Sequence, residues 1–167
     1  ASMKISLKLE SLQTTGSFKI RGMRYKIHAS DVGRLRDKGV VTLSAGNAGR
    51  AVAYLAQQSG LDAKVFMPAT APDDRKRMME SLGARVVKVP GEGLLDAVAA
   101  CIAEEGRVLV HPFDDLDVIR GHASCGLEIL EDAPDADVIV VCCGGGRGRE
   151  TGYFDAPSTR VFRDRRL

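Results

Sequence analysis

No stretch of this 167-residue chain stays apolar long enough to cross a membrane. The opening residues, Ala1 to Leu12, lack a long apolar segment and the small-residue cleavage pattern that would follow one, so no secretory leader is read there. These two lacks predict an intracellular, cytoplasmic protein, although the first residue is not Met. Strong net charge is also missing, since 24 Lys and Arg against 22 Asp and Glu leave +2. That balance gives no electrostatic case for nucleic acid or an anionic membrane as partner. Metal-ligand spacing is absent. Cys101, Cys125, Cys142 and Cys143 match neither a zinc site nor a C-x-x-C pair, and His28, His111 and His122 do not complete one. Reduced, mostly buried thiols are expected, and no metal. A G-x-x-x-x-G-K-[ST] loop does not occur, and no full G-x-G-x-x-G follows a strand, which disfavours a nucleoside-triphosphate site.

What is present is ordinary globular composition, 44% hydrophobic and 28% charged, on a chain long enough for a sizeable core. Short apolar runs alternate with amphipathic ones. Strands are predicted at Ile5–Leu9, Val40–Leu43, Ala63–Met67, Arg85–Val89, Val108–Val110 and Val138–Cys142. Helices are predicted at Phe18–Ala29, with Ser17 as its N-cap, and at Asn47–Gln58, Pro72–Leu82, Leu94–Glu105 and Asp117–Leu130. Strands of about five residues between helices of ten or more indicate βαβ units and a parallel sheet. Near-continuous apolar runs such as Val138-Ile139-Val140-Val141 suit strands covered on both faces. The stretch from Arg147 to Leu167 is polar, carries six arginines and lacks periodicity, so loop or disorder is expected there.

In parallel sheets ligands bind at the carboxyl ends of strands, where loops enter helix N-termini. Two loops have suitable make-up. Ser44-Ala45-Gly46-Asn47-Ala48-Gly49 lets backbone approach a ligand closely, aims first-turn amides at an anion, and adds the Asn47 side chain as donor. Its plain reading is a tight strand-to-helix turn in which glycine serves geometry alone. Gly144-Gly145-Gly146 after an apolar strand suits close approach to a phosphate, or is a flexible turn. A third segment, Thr14 to Gly22, contains Lys19. Taken alone, that residue reads as a solvated helix lysine, because a Schiff-base lysine needs a site that lowers its pKa or holds it beside a carbonyl.

Together, in this order and at these intervals, the three segments resemble a known family. Ser17-Phe18-Lys19-Ile20-Arg21-Gly22 resembles the lysine motif of fold-type II (tryptophan synthase β-like) pyridoxal-phosphate enzymes. Ser44–Gly49 resembles their asparagine loop, and Gly144–Gly146 the start of their four-glycine phosphate loop. Lys8-Leu9-Glu10, Pro112-Phe113-Asp114-Asp115 and Gly121-His122-Ala123-Ser124 are similar to linking segments of the family. The likeness spans residues 4 to 146 and is nearest to serine/threonine dehydratases (ammonia-lyases). Serine racemases usually carry a serine where this chain has Ala45; without that acid, elimination on one face is favoured over racemisation. Cysteine and threonine synthases share the fold.

The resemblance implies pyridoxal 5'-phosphate held covalently by Lys19, which then serves as base for the Cα proton. It implies Phe18 lying against the cofactor, Asn47 bonding its phenolic oxygen, and amides of Gly144, Gly145 and Gly146 on its phosphate. Ser44, Ala45, Gly46, Asn47, Ala48 and Gly49 would hold the substrate carboxylate. Serine would give pyruvate and threonine 2-oxobutanoate, each with ammonia. Residues 1–37 and 114–146 would belong to a large domain, and 38–113 to a small one. The resemblance also implies a homodimer. Arg147 stands where members have a fourth glycine, and the likeness ends there. The expectation is therefore a truncated chain with a divergent tail from 147 to 167. The alternative function is a catalytically inactive isoform that acts, if at all, by associating with a full-length subunit.

Overall fold

The computed structural model describes residues 4–142 and the strand at 160–164. Six helices and six strands follow one another as α1 (Lys19–Ala29), α2 (Val32–Lys38), β1 (Val40–Leu43), α3 (Asn47–Ser59), β2 (Ala63–Pro68), α4 (Asp73–Glu80), β3 (Arg85–Val89), α5 (Leu94–Glu105), β4 (Val108–Leu109), α6 (Leu116–Asp132), β5 (Val138–Cys142) and β6 (Arg160–Asp164). Four of the strands form one parallel sheet in the order β3-β2-β1-β4. Val40 pairs with Ala63 on one side and Val108 on the other, so β1 is central.

Alternation along the strands sorts side chains into two cores. Val40, Ala63, Val65, Met67 and Val110 face α1, α3 and α4, against Ala48, Ala51, Val52, Leu55, Ala56, Met23 and Met79. Val41 and Phe66, with Leu43, Val87 and Leu109 beside them, face α5 through Val98 and Cys101. Burying each large apolar side chain contributes roughly 1.5–3 kcal/mol. α3 is a helix because alanine dominates it and its apolar positions 48, 51, 52, 55 and 56 make one stripe. Gly60, in the left-handed region at φ 64°, ends it by donating its N–H to the Ala56 carbonyl. α5 repeats the logic with Leu94, Ala97, Val98, Cys101 and Ile102.

On the α1 side of the sheet, α1 also packs against α6, and two glycines set their distance. A Cβ on Gly121 would lie 2.6 Å from the Arg21 carbonyl oxygen, and one on Gly22 would lie 2.6 Å from that of Val118. Asp115 starts α6 by accepting the N–H of Asp117 (2.8 Å) and Val118 (3.3 Å). A polar cluster closes the same interface. Arg21 donates to both oxygens of Glu10 (2.7 and 2.8 Å), to Glu128 (2.6 and 2.7 Å) and to Ser124 (3.0 Å).

Three sequence expectations change, and one helix is added. Ile5–Leu9 pairs with no strand among the described residues; Ile5, Leu7 and Leu9 are exposed, and the segment is tied down by Lys8 to Glu128 and Asp132 instead. Ser17 does not cap α1. The capping position falls to Phe18, which is itself in helical conformation, and the buried Ser17 hydroxyl has no hydrogen-bond partner among the described residues. α2 was not anticipated; it is short, and Asp31 caps it by accepting the Arg34 N–H at 2.6 Å. Residues 160–164 are a strand rather than loop, because their backbone pairs in parallel with β5, from Val138 to Cys142. Cys101 and Cys125 are buried thiols, as expected. No helix among the described residues is long and apolar enough to cross a membrane.

Candidate functional site

The strand order places a topological switch between β1 and β4. From β1 the chain winds outward through α3 and β2, then returns through α5 to add β4 on the other side. Loops at the carboxyl ends of such neighbouring strands diverge and leave a crevice. Ser44–Gly49 leaves the end of β1, and His111-Pro112 leaves the end of β4.

Lys19 reaches this crevice from outside the sheet. α1 packs on α3, which brings the first turn of α1 to the switch. The Lys19 Nζ donates to the Pro112 carbonyl oxygen at 2.7 Å, across 93 residues of chain. Burial holds its pKa below the ordinary lysine value, because a buried ammonium loses hydration. The Phe18 ring centroid lies 5.1 Å from the same nitrogen. Behind it stands His122, with ring centroids 4.9 Å apart and tilted by 58°. His122 Nδ1 accepts the Gly22 N–H at 3.2 Å. Its pKa is pushed down to about 4, chiefly by burial and then by the charges of Lys19 and Arg21.

The loop after β1 is built for close approach. Ser44 Oγ accepts the Gly46 N–H at 3.1 Å, which shapes the turn into α3. Gly46 precedes the helix and offers no side-chain cap. The first α3 carbonyl bond is Arg50 N–H to Gly46 at 3.1 Å, so the amides of Asn47, Ala48 and Gly49 precede the intrahelical ladder. Gly49 is obligatory for packing: an added Cβ would lie 2.6 Å from the Ser44 carbonyl oxygen and 2.7 Å from the Met79 sulfur. Asn47 is exposed at the helix start.

The fold thus assembles two of the three segments singled out in the sequence, Phe18-Lys19 and Ser44–Gly49, at neighbouring strand ends. Gly144, Gly145 and Gly146 lie outside the described residues. Sequence reasoning missed His111, the Pro112 carbonyl and His122. The available signal was modest: a His-Pro pair directly after an apolar strand, at the end where ligands bind. A shallow open depression bordered by Lys8, Glu10, Arg21 and Glu128 belongs to the ion-pair cluster and not to this crevice.

Comparison with known proteins decides the family. Residues 1–153 match the family described as "Pyridoxal-phosphate dependent enzyme". The chain belongs to this family. The α/β parallel-sheet architecture is that of fold-type II pyridoxal-phosphate enzymes, whose cofactor is pyridoxal phosphate. One relative, the L-threonine ammonia-lyase of Thermotoga maritima, is 46% identical over 147 residues, 86% of this chain and 36% of its own length. The serine racemase of Dictyostelium discoideum superposes with a TM-score of 0.82 at 34% identity, over 93% of this chain and 52% of that one. Threonine deaminase isoform 2 of Solanum lycopersicum does so at 0.80 and 32% identity, over 93% and 44%. The chain therefore spans between about a third and about half of the length of these relatives.

The described residues suit the family's cofactor chemically. An amine with lowered pKa spends a larger fraction of its time neutral, as condensation with an aldehyde requires. An uncapped helix start and an aromatic face stand ready for an anion and a ring. The hydroxyls of Thr15 and Ser17, in the bend leading to Lys19, are buried without hydrogen-bond partners among the described residues. A buried hydroxyl left so is costly, and a polar group bound nearby would relieve it.

Proposed function

We propose that this chain supplies the cofactor lysine and the substrate-carboxylate loop of a pyridoxal-phosphate dependent ammonia-lyase. That enzyme converts L-threonine or L-serine into a 2-oxo acid and ammonia. The observation that carries the reading is the half-buried Lys19 amine, parked at 2.7 Å on the Pro112 carbonyl beside the switch between β1 and β4. Threonine is favoured by the name of the Thermotoga relative, an L-threonine ammonia-lyase.

Pyridoxal phosphate, when bound, supplies the electron sink that makes removal of a Cα proton feasible. The chain's own residues do the rest. Lys19 would hold the cofactor through Nζ, and the same nitrogen would be the base for the Cα proton. Its lowered pKa, caused by burial, leaves a larger neutral fraction than an ordinary lysine has at the same pH. First-turn amides of α3 hold the substrate carboxylate, and the dipole of that helix favours the negative charge. Asn47 would donate from its side chain to the cofactor, and Phe18 would shield it from water. Ala45 offers no proton to the opposite face, which favours elimination of the β-hydroxyl over inversion at Cα.

The test is visible absorbance of the purified chain with added pyridoxal phosphate, together with 2-oxo acid release from threonine and serine. A lysine-bound cofactor band that disappears in Lys19→Ala, with 2-oxobutanoate formed from threonine, is the expected result. A band that survives Lys19→Ala would overturn the assignment of Lys19. No band in a folded chain that co-purifies with a complete subunit would support the alternative, a non-catalytic isoform.

A further inference from the structure

His111 lies just beyond β4, the strand next to β1, and its ring works on backbone. Its Nδ1 accepts the Asp114 N–H at 2.7 Å and the Phe113 N–H at 3.3 Å. Both bonds require an unprotonated Nδ1, so the proton of the neutral ring sits on Nε2. Together they fold residues 111–114 into a turn whose second member is Pro112. Proline fixes its own φ and has no N–H to give, so the turn depends on the two amides that follow it. The ring is also held edge-on against Phe113, with centroids 4.7 Å apart and planes at 83°. Pro112 is buried, and its carbonyl receives the Lys19 amine. One ring nitrogen thereby orients the carbonyl on which that amine rests.

We propose that His111 is a positioning residue for Lys19, its neutral Nδ1 holding the 111–114 turn so that the Pro112 carbonyl keeps the amine at the switch between β1 and β4. The proposal rests on the reading of Lys19 as the cofactor lysine. It also makes the turn sensitive to acid. A protonated ring would carry a hydrogen on Nδ1 and lose both acceptor bonds. The charges facing the ring are Asp114 and Asp115, which favour protonation, and Lys19, which opposes it. Burial is the largest influence, and the ring's pKa lies below its ordinary value, so Nδ1 is free to accept near neutral pH.

Two measurements on the chain without cofactor test this. The first is pulse acetylation of lysines across pH, read by mass spectrometry, with exposed Lys4 as internal reference. Lys19 in the wild type should label with a midpoint below 10.5. His111→Ala should move that midpoint up toward 10.5 and leave Lys4 unchanged. His111→Asn, whose Oδ1 can accept the same amides, should restore the wild-type midpoint. The second is amide exchange at Phe113 and Asp114. Protection should be lost below a midpoint under 6.5 in the wild type and persist to lower pH in His111→Asn. A folded His111→Ala chain with an unmoved Lys19 midpoint overturns the proposal, as does failure of His111→Asn to restore it. Should His111→Ala not fold, wild-type amide protection that is indifferent to acid overturns it equally. Borohydride reduction with pyridoxal phosphate separates the two readings. A Lys19 midpoint that depends on His111, without cofactor capture, sinks only the assignment of Lys19. Capture at Lys19 that is indifferent to His111 sinks only the positioning role.

Discussion

Acid should weaken this fold through one ring. His122 is 4% exposed, accepts the Gly22 N–H at 3.2 Å and packs against Phe18. Burial first, then the charges of Lys19 and Arg21, hold its pKa at about 4, against 6.5 when solvated. Between those values the unfolded chain takes up a proton that the folded chain refuses. The contribution of His122 to stability is therefore full above the solvated pKa and falls as pH drops through the window. It is flat again below the folded pKa. At about 1.4 kcal/mol per pKa unit, the loss between about pH 7.5 and about pH 4 is about 3 kcal/mol. Carboxylates also titrate as pH falls. Hydrogen bonds from Arg21 and Lys8 hold Glu128 at about 2, and those from Lys64 and Arg107 do the same for Glu105. A reference variant cancels them. His122→Asn keeps an acceptor near the position of Nδ1 and cannot titrate. Urea unfolding of both proteins at several pH values should show the wild type losing about 3 kcal/mol relative to the variant across that range. A difference that stays flat while both proteins remain folded would refute the reasoning.

Other expectations follow from the same geometry. Gly121→Ala sets a methyl 2.6 Å from the Arg21 carbonyl oxygen and the Tyr25 Cβ, and overpacking of this kind costs about 1–3 kcal/mol; an unchanged urea midpoint would contradict the close helix crossing. Thr42→Val removes the buried bond from Oγ1 to the Val110 carbonyl (2.7 Å) that ties β1 to the end of β4, and should cost about 1 kcal/mol in the same assay. Lys19 has a folded pKa lowered by burial, so the folded chain sheds its proton first. Without cofactor, the wild type should gain stability relative to Lys19→Met as pH rises from that folded pKa toward 10.5 and show no further gain above it, whereas parallel curves would deny the burial of the charge.

Much of the fold was legible because each buried element declares itself locally. Val40–Leu43, Arg85–Val89 and Val138–Cys142 are apolar runs of strand length between turn residues, and Leu94–Glu105 carries a regular apolar stripe. What failed was what depends on partners. Ile5–Leu9 has the pattern of a strand but meets no neighbouring edge among the described residues. Arg160–Asp164 has little pattern, yet pairs because β5 leaves backbone groups open beside it. α2 was missed because only Leu35 of its residues is buried, which leaves no stripe to read. At the site, Lys19 and the Ser44–Gly49 loop were visible as motifs. The placement of Lys19 on Pro112, at the strand end next to that loop, was not, because it depends on the order β3-β2-β1-β4 and on a bond spanning 93 residues. The service of His111 to Pro112 is likewise invisible in sequence, since a histidine that accepts backbone amides looks like any other.

The central claim is that folding turns Lys19 from a surface lysine into the amine that captures an aldehyde cofactor. Its most direct test is incubation with pyridoxal phosphate, borohydride reduction and peptide mapping. The account predicts a pyridoxyl group fixed on Lys19 at low reagent excess, with the other lysines untouched. Equal labelling of Lys19 and exposed lysines such as Lys4, or labelling concentrated elsewhere, would contradict it.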